Sequence, residues 1–401
     1  MNESRGRLEC QHITTLFFSK AITSTIVPIT FGQLSFPFNG VPGYTLQNTL
    51  GNQRLQPEIS TESEIGAEFK FLDDRISVDI AYYNKLSEGQ IINVPITPST
   101  GSSSVTLNFG KIRNRGIELS TQITPVRIKN FTWDISYNYT RNRNSVLELP
   151  SGLDKVTLNQ NAYDAKLEAR LNQPLGVIYA PVSRYDPQGR VIVDANTGFP
   201  VAAAEDGYFG TSQRDFTMGL SNNITYKNFR LGFSFDYRQG GVFYSSTSEL
   251  LMFTGNHYLT TYNNRKPFVI PNSVNEVTDN TGKVTYEENS TVIDESHYDD
   301  YWYANSNRAG IYQYRILDKT FLKLRDVTLS YNLPATIARK ITAERATITV
   351  FGRNLWTWLP VDNQIIDPET SNFGRDIASE LGEFRVGPMP RSIGISLRVG
   401  F

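Results

Sequence analysis

The residue types that most often carry out chemistry in enzymes are sparse in this sequence. The three histidines, His12, His257 and His297, show no HExxH spacing, and the chain has neither a GxSxG motif nor a glycine-rich phosphate loop. Cys10 is the only cysteine, which excludes an intrachain disulfide and a cysteine-based zinc site. We therefore expect no enzymatic activity, no metal site and no cofactor.

Four carboxylates are the best candidates for acid–base chemistry: Asp79, Glu118, Asp134 and Asp236. Two neighbouring carboxylates can act as a general acid and a general base. Each of the four, however, stands at a polar position of a segment in which polar and apolar residues alternate. Polar residues that line the lumen of a β-barrel show this pattern. We favour the interpretation that all four face a lumen.

An aromatic stretch at residues 297–303 (HYDDYWY) is the other candidate for binding. Aromatic rings stack on sugars and on peptide side chains, so Tyr301, Trp302 and Tyr303 are candidates for contact with a substrate in an outer loop. The alternative is that these rings pack the loop itself or lie in an aromatic girdle at the membrane interface.

Composition narrows the class of protein. The formal net charge is −1, so no basic field indicates a nucleic-acid partner. Aromatic residues make up 12% of the chain, and tyrosine and phenylalanine favour strands and membrane interfaces. No run of about 18 apolar residues is present, so we expect no membrane-spanning helix. Residues 16–31 are apolar but contain Lys20 and lack a small-residue cleavage site, which favours a strand over a signal peptide.

Period-two alternation of apolar and polar residues occurs nine times and predicts nine strands. The segment 131–140 is the clearest, since Phe131, Trp133 and Ile135 alternate with polar residues. The alternation in 321–332 changes phase near Arg325 and Asp326, which predicts a β-bulge. The nine segments are 64–71, 75–82, 116–123, 131–140, 216–226, 229–238, 321–332, 346–354 and 391–401.

The predicted strands run for about 9–13 residues, the length that a tilted strand needs to cross a membrane. Short connections alternate with long ones, and the predicted long loops are 83–114, 143–213, 241–319 and 357–390. Outer-membrane barrels have short periplasmic turns and long extracellular loops. We therefore predict an all-β fold, the C-terminal segment of an antiparallel transmembrane β-barrel with about nine or ten strands. Because such barrels have even strand numbers, a further strand should precede residue 61, and residues 13–31 can supply it.

Several ordered motifs resemble the SusC/RagA family of TonB-dependent outer-membrane transporters. They are LGNQRLQPE at 50–58, AYYNK at 81–85, NRGIE at 114–118, FTWD at 131–134, YTRN at 139–142, FLKLRDVTLSYNLP at 321–334, GRNLWTW at 352–358, DPE at 367–369 and PMPRSIGISLRVGF at 388–401. The likeness covers residues 50–401, whereas 1–49 match poorly and can supply one strand.

The resemblance implies a segment of a large barrel in the outer membrane of a Gram-negative bacterium, in contact with its lipid. Proteins of this family import oligosaccharides or peptides. A SusD-like surface lipoprotein caps them, and the TonB system acts through an N-terminal plug domain that this sequence does not contain. Phe401 at the end of an alternating strand is similar to the signal that the barrel-assembly machinery reads.

Two alternatives to a transporter remain open from the sequence. One is a small passive porin-like or adhesin barrel. The other is a soluble β-rich glycan-binding protein. That alternative predicts that the apolar faces of the strands meet in a core, and it does not explain why short connections alternate with long ones.

Overall fold

The computed structural model describes residues 20–23, 31–33, 44–46, 48–150, 152–160, 165–303, 314–371 and 377–401. Within these residues the chain forms 23 strands. In chain order they are β1 (Lys20–Thr23), β2 (Phe31–Gln33), β3 (Tyr44–Leu46), β4 (Thr49–Leu50), β5 (Glu58–Phe71), β6 (Ile76–Pro95), β7 (Ser104–Ile128), β8 (Phe131–Glu148), β9 (Lys155–Gln160), β10 (Lys166–Arg170), β11 (Val177–Ala180), β12 (Val191–Val193), β13 (Gly207–Thr211), β14 (Phe216–Tyr226), β15 (Phe229–Gln239), β16 (Val242–Ser245), β17 (Ser273–Thr278), β18 (Val284–Glu288), β19 (Ile316–Asp318), β20 (Phe321–Asn332), β21 (Arg345–Trp358), β22 (Gly382–Glu383) and β23 (Ser392–Gly400).

Helical segments are few and short in the same residues. The α-helices are α1 (Ser246–Phe253), α2 (Tyr298–Tyr303) and α3 (Ala335–Ala338), and the 3-10 segments are Pro98–Thr100, Tyr258–Arg265, Glu295–His297, Arg339–Ile341 and Ile377–Leu381. None of the described helices is both long and apolar enough to cross a membrane.

One large sheet contains all nine predicted strands. Its order is β1-β5-β6-β7-β8-β14-β15-β20-β21-β23, each neighbour antiparallel to the next, and β4 adds a short parallel pairing to β7. The tenth strand, β1, lies within residues 13–31 and pairs with β5, where the even strand count required one. The predicted all-β antiparallel architecture is confirmed.

The pairing register gives the sheet one apolar face and one polar face. Leu220 stands opposite Tyr137 and Phe235, whereas the next residue, Ser221, stands opposite Ser136 and Ser234. Alternate residues of a strand point to opposite faces, so the whole sheet follows this division. We call these the apolar face and the lumen face.

The apolar face is not covered by other parts of the described chain. Its exposed side chains include Ile65, Ile80, Ile117, Leu220, Leu329, Ile348, Val350, Ile393, Ile395 and Leu397. Ile393 and Ile395 are 80% and 75% exposed. A soluble sandwich would bury these side chains between two sheets. The prediction of the soluble alternative is therefore wrong, and the face has the character of a lipid-contacting surface.

The change of phase predicted near Arg325 is a β-bulge. The register of β20 shifts by one residue between Leu324 and Asp326 against both of its neighbours, β15 and β21. A bulge inserts one residue into a strand and redirects its side chain. Against β15, Arg325 is the inserted residue, whereas against β21 the extra residue lies in β21. The guanidinium of Arg325 reaches Asp236 on the lumen face.

The connections alternate in length as predicted, with one difference. Short turns at 72–75, 129–130 and 227–228, and the fairly short 333–344, lie at one end of the sheet, and 149–215, 240–320 and 359–391 lie at the other. The stretch 83–114, however, is mostly strand, because β6 and β7 stay paired up to Pro95 and Ser104. These extensions project beyond the part of the sheet that has an apolar face. Apolar and polar residues therefore no longer alternate in them, while their backbone pairing continues.

The described residues of the long connections pack into a layer at that end, which we call the loop layer (described parts of 149–215, 240–320 and 359–391). It contains three small sheets, β13-β11-β10-β9, β12-β17-β18 and β19-β16-β22. The largest buried apolar cluster lies here and joins the tops of β6, β7 and β8 to the loops. Its members are Val94, Ile112, Val146, Val156, Leu158, Ala165, Leu167, Ala169, Ile178, Ala180, Tyr244, Ile316 and Leu381. Water-excluding packing thus stabilises the loop layer, while the apolar face of the large sheet stays outward.

Candidate functional site

The lumen face carries all four predicted carboxylates, spread over four strands. Asp79 in β6 faces Glu68 and Ser120 across the ladder. Asp134, near the short turns, accepts a hydrogen bond from Thr124 Oγ1 at 2.7 Å. The register puts all four on the polar face of the sheet, and their position in a lumen stays a prediction. Their contact with a substrate remains a prediction.

Glu118 lines a groove of about 490 Å³ on the lumen face between β5 and β8. Four carboxylates and one lysine line this groove, together with hydroxyl and amide groups: Glu58, Glu62, Glu64, Glu118, Lys85, Ser60, Ser87, Tyr83, Gln90, Asn114 and Asn142. Two hydrogen bonds cross the strands: Tyr83 donates to Asn142 Oδ1 at 3.1 Å, and Asn142 donates to Asn114 Oδ1 at 3.0 Å. The groove is thus a polar surface with fixed amides and hydroxyls, suited to contact with hydroxylated or peptide-like molecules.

Asp236 belongs to an ion-pair cluster that ties a long loop to the lumen face. Lys323 Nζ lies 2.7 Å from Asp367 Oδ1 and 2.6 Å from Glu369 Oε2. Arg325 donates to Glu369 at 2.6 and 2.7 Å and also to Asp236. We call these five residues the charge clamp. They connect residues 359–391 of the loop layer to strands β15 and β20.

Burial makes the charge clamp sensitive to the loss of any partner. The side chain of Lys323 is 2% exposed, and those of Asp367 and Glu369 are 9% and 12% exposed. Burial alone raises the pKa of Glu369, but its hydrogen bonds and charge interactions with Arg325 and Lys323 outweigh this and lower the pKa to about 2. The glutamate therefore stays ionised, and the clamp holds the loop by charge-assisted hydrogen bonds.

A cavity of about 590 Å³ opens in the loop layer beside Gly240 and Gly241, just above β15. Its lining combines aromatic rings with carboxylates and amides: His257, Tyr258, Tyr314, Asp318, Asp362, Asn363 and Gln364. The ring of Tyr258 stacks on His257 with centroids 4.6 Å apart and is 44% exposed. Rings next to carboxylates and amides form a surface that can stack on and hydrogen-bond a sugar or a peptide.

His257 is a fixed, neutral part of this cavity wall. Burial lowers its pKa to about 4. Its Nδ1 accepts a hydrogen bond from the backbone N–H of Leu259 at 3.2 Å, so its proton resides on Nε2, which faces Ser248 Oγ at 3.2 Å. Ser248 Oγ in turn donates to the carbonyl of Tyr314. All of these groups have structural partners, and the serine and histidine serve the loop fold.

Within the aromatic stretch at 297–303, the rings of Tyr301 and Trp302 pack against other rings of the loop layer. Trp302 is 4% exposed, and its ring lies 5.0 Å from Tyr301, whose ring lies 5.4 Å from Phe268. Burial raises the pKa of Tyr301. Of Tyr303 only the backbone, at the end of α2, is described. This placement favours loop packing over an open binding surface, and substrate contact by Tyr301, Trp302 and Tyr303 remains a prediction.

Phe401 follows β23 directly and is 83% exposed at the end of the sheet that carries the short turns. This is the place that a terminal assembly signal requires, and recognition by the barrel-assembly machinery remains a prediction. In the parts of the chain that the structure describes, no group of three or more His, Cys, Asp or Glu side chains lies close enough to hold a metal ion.

Sequence reasoning did not identify the charge clamp or the loop cavity. The motifs FLKLRDVTLSYNLP and DPE contain Lys323, Arg325, Asp367 and Glu369, so the residues were visible in the sequence. Their contact joins positions 44 and 46 residues apart, which no local pattern reveals.

Comparison with known proteins matches this geometry. Residues 14–196 match the family model described as TonB dependent receptor-like, beta-barrel. TonB-dependent receptor P26 of Formosa agariphila is 28% identical over 378 residues, which cover 88% of this chain and 36% of that protein. TonB-dependent receptor SusC of Bacteroides thetaiotaomicron is 29% identical over 214 residues, which cover 50% of this chain and 21% of that protein.

A structural match supports the same fold. A structure of the RagAB peptide transporter superposes on 93% of this chain and 38% of its own chain, with a TM-score of 0.65 and 17% identity. The chain is thus similar in sequence and fold to part of the β-barrel of TonB-dependent receptors. SusC and the RagAB peptide transporter, which the chain resembles, are of the kind that the motifs in residues 50–401 indicated. It spans less than two fifths of the length of the relatives described here.

Proposed function

We propose that this chain forms part of the wall and outer loop layer of an outer-membrane importer for polar oligomers, oligosaccharides or peptides. One observation carries the proposal: a ten-strand antiparallel sheet with an uncovered apolar face, a polar lumen face and every long folded loop at one end. A surface of this kind separates lipid from a polar passage. No bond is made or broken in such a passage, so the chain acts by lining and gating.

The proposed partners are assigned to the two faces and the two ends of the large sheet. The lipid of the outer membrane of a Gram-negative bacterium contacts the apolar face, and a SusD-like lipoprotein covers the loop layer. The RagAB peptide transporter is a structural parallel for this chain. The TonB system drives import through a plug domain, and the barrel-assembly machinery reads Phe401. The carboxylates of the lumen face and the loop cavity above β15 are the proposed contact points for the oligomer.

Fractionation of cells that produce the chain tests the proposal. We expect the protein in the outer-membrane band of a density gradient, with gel migration that changes when the sample is boiled, because folded barrels resist SDS at room temperature. A matched lane with a soluble periplasmic protein controls for contamination. Recovery of folded protein in the soluble fraction would overturn the membrane assignment.

A further inference from the structure

A second, smaller pocket lies where the charge clamp meets the loop layer. It has a volume of about 290 Å³ and is lined by Arg214, Arg238, Lys319, Glu369 and Glu380, with Ser, Thr and Pro side chains of 368–379 around them. The lining thus holds three cationic side chains against two carboxylates. This excess of positive charge in a partly buried site requires an explanation.

The existing partners account for two of the three cations. Lys319, 5% exposed, pairs with Glu380 Oε2 at 2.6 Å, and Arg238 pairs with Glu369 at 3.1 Å. Glu369 also forms ion pairs with Lys323 and Arg325. Both carboxylates of the pocket are therefore already engaged.

Arg214 is the cation that remains. It has no hydrogen bond or ion pair with the described residues, and its Nε is buried without a partner. The adjacent Asp215 is engaged by Arg143 at 2.6 Å. Burial and repulsion from Arg238 lower the pKa of Arg214, and the more distant charges of Glu380, Glu369 and Asp236 offset this only in part. Since a guanidinium keeps its proton in proteins, this environment favours a bound anion over loss of the charge.

We propose that Arg214, with Arg238 beside it, binds a carboxylate of the transported oligomer. The buried Nε of Arg238 is likewise without a hydrogen-bond partner in the described residues, and both guanidinium groups line the same pocket. Guanidinium groups bind carboxylates through paired N–H donors, and the pocket volume suits one such group with its attached residue. The carboxylate is the C-terminus of a peptide or that of a uronic acid in an acidic oligosaccharide. This inference rests on the proposed passage of an oligomer through the lumen.

Calorimetric titration of the detergent-solubilised protein tests the site. The probes are N-acetyl-triglycine and its amide for the peptide source, and trigalacturonic acid and its methyl ester for the glycan source. We expect at least one free acid to bind, with its neutral counterpart at least about tenfold weaker, because a charge-assisted hydrogen bond is lost. Arg214→Gln should weaken the acid by a similar factor, and Arg214→Lys should retain part of the affinity.

Arg353→Gln is the matched control, since Arg353 also lies on the lumen face but outside the pocket. Its binding should equal wild type. Equal binding of acid and neutral probe, no binding of either acid, or Arg214→Gln behaving as wild type would each overturn the site. The acid and neutral probes are compared on wild-type protein alone, so that comparison does not depend on whether a variant folds. Fractionation judges the importer separately, so a membrane protein that binds no acid refutes only the pocket.

Discussion

In a Lys323→Met variant, we expect proteinase K to cut residues 359–391 far faster than in wild type. Methionine keeps the length of the side chain but leaves Asp367 and Glu369 without their buried cation. Removal of one partner from a buried ion pair costs about 3–5 kcal/mol. The free energy that keeps the loop docked should fall by that order, so its open population rises by roughly a hundredfold or more. The first cleavage site and its rate, read by mass spectrometry, measure the effect.

Lys70→Met is the control for this experiment. Lys70 also pairs with a glutamate on the lumen face, Glu68 at 2.9 Å, but both side chains are exposed, and such pairs contribute little. Unchanged proteolysis in Lys323→Met, or an equal change in both variants, would contradict the clamp.

Acid should weaken the same clamp in wild type. The folded pKa of Glu369, about 2, lies below its ordinary value of 4.5, so its contribution is complete above pH 4.5 and is lost as the pH falls toward 2.

A positive charge on the apolar face should be costly, whereas the same charge one residue further along should not. Leu220 lies on the apolar face near the middle of β14, and Ser221 lies on the lumen face. An arginine facing lipid near the bilayer midplane costs about 2–4 kcal/mol, since its charge leaves water. We expect that loss of unfolding free energy for Leu220→Arg in urea titrations of protein in lipid vesicles.

Ser221→Arg is the matched control because it adds the same side chain to the same strand. Its unfolding free energy should stay close to wild type, since the lumen face is polar and open to water. Equal destabilisation by the two substitutions would show that both faces contact the same environment and would contradict the assignment of the faces.

Much of the large sheet could be predicted because its constraint is local. A sheet with one apolar and one polar face has a period-two pattern in each strand, and that pattern located nine strands and the bulge at Arg325. The even strand count of closed barrels added the tenth, β1, although its own alternation is poor.

The loop layer could not be predicted in the same way. Its strands are short, such as β16 and β22, and they are buried on both sides among segments distant in sequence. Where a strand such as β6 leaves the apolar band, the pattern that marks it also ends, so a long paired hairpin was expected to be a loop.

The candidate site shows the same difference between what a local pattern predicts and what tertiary packing decides. The assignment of Asp79, Glu118, Asp134 and Asp236 to the polar face of their strands rests on alternation alone. The partners that give Asp236 its role, Arg325 and Glu369, depend on a loop folding back on the wall, and Arg214 is not marked by any motif. A one-dimensional pattern specifies which face a side chain occupies, and tertiary packing decides what it meets there.

Cysteine labelling along β21 tests the central claim, that one face of the sheet meets lipid and the other a water-filled lumen. In a background with Cys10 replaced by serine, single cysteines replace Thr347, Ile348, Thr349 and Val350, whose strand is paired on both sides. A water-soluble maleimide is added to isolated outer membranes. We predict reaction at 347 and 349 and protection at 348 and 350 until detergent is added. Equal reactivity at all four positions, or protection at the threonines alone, would contradict the account.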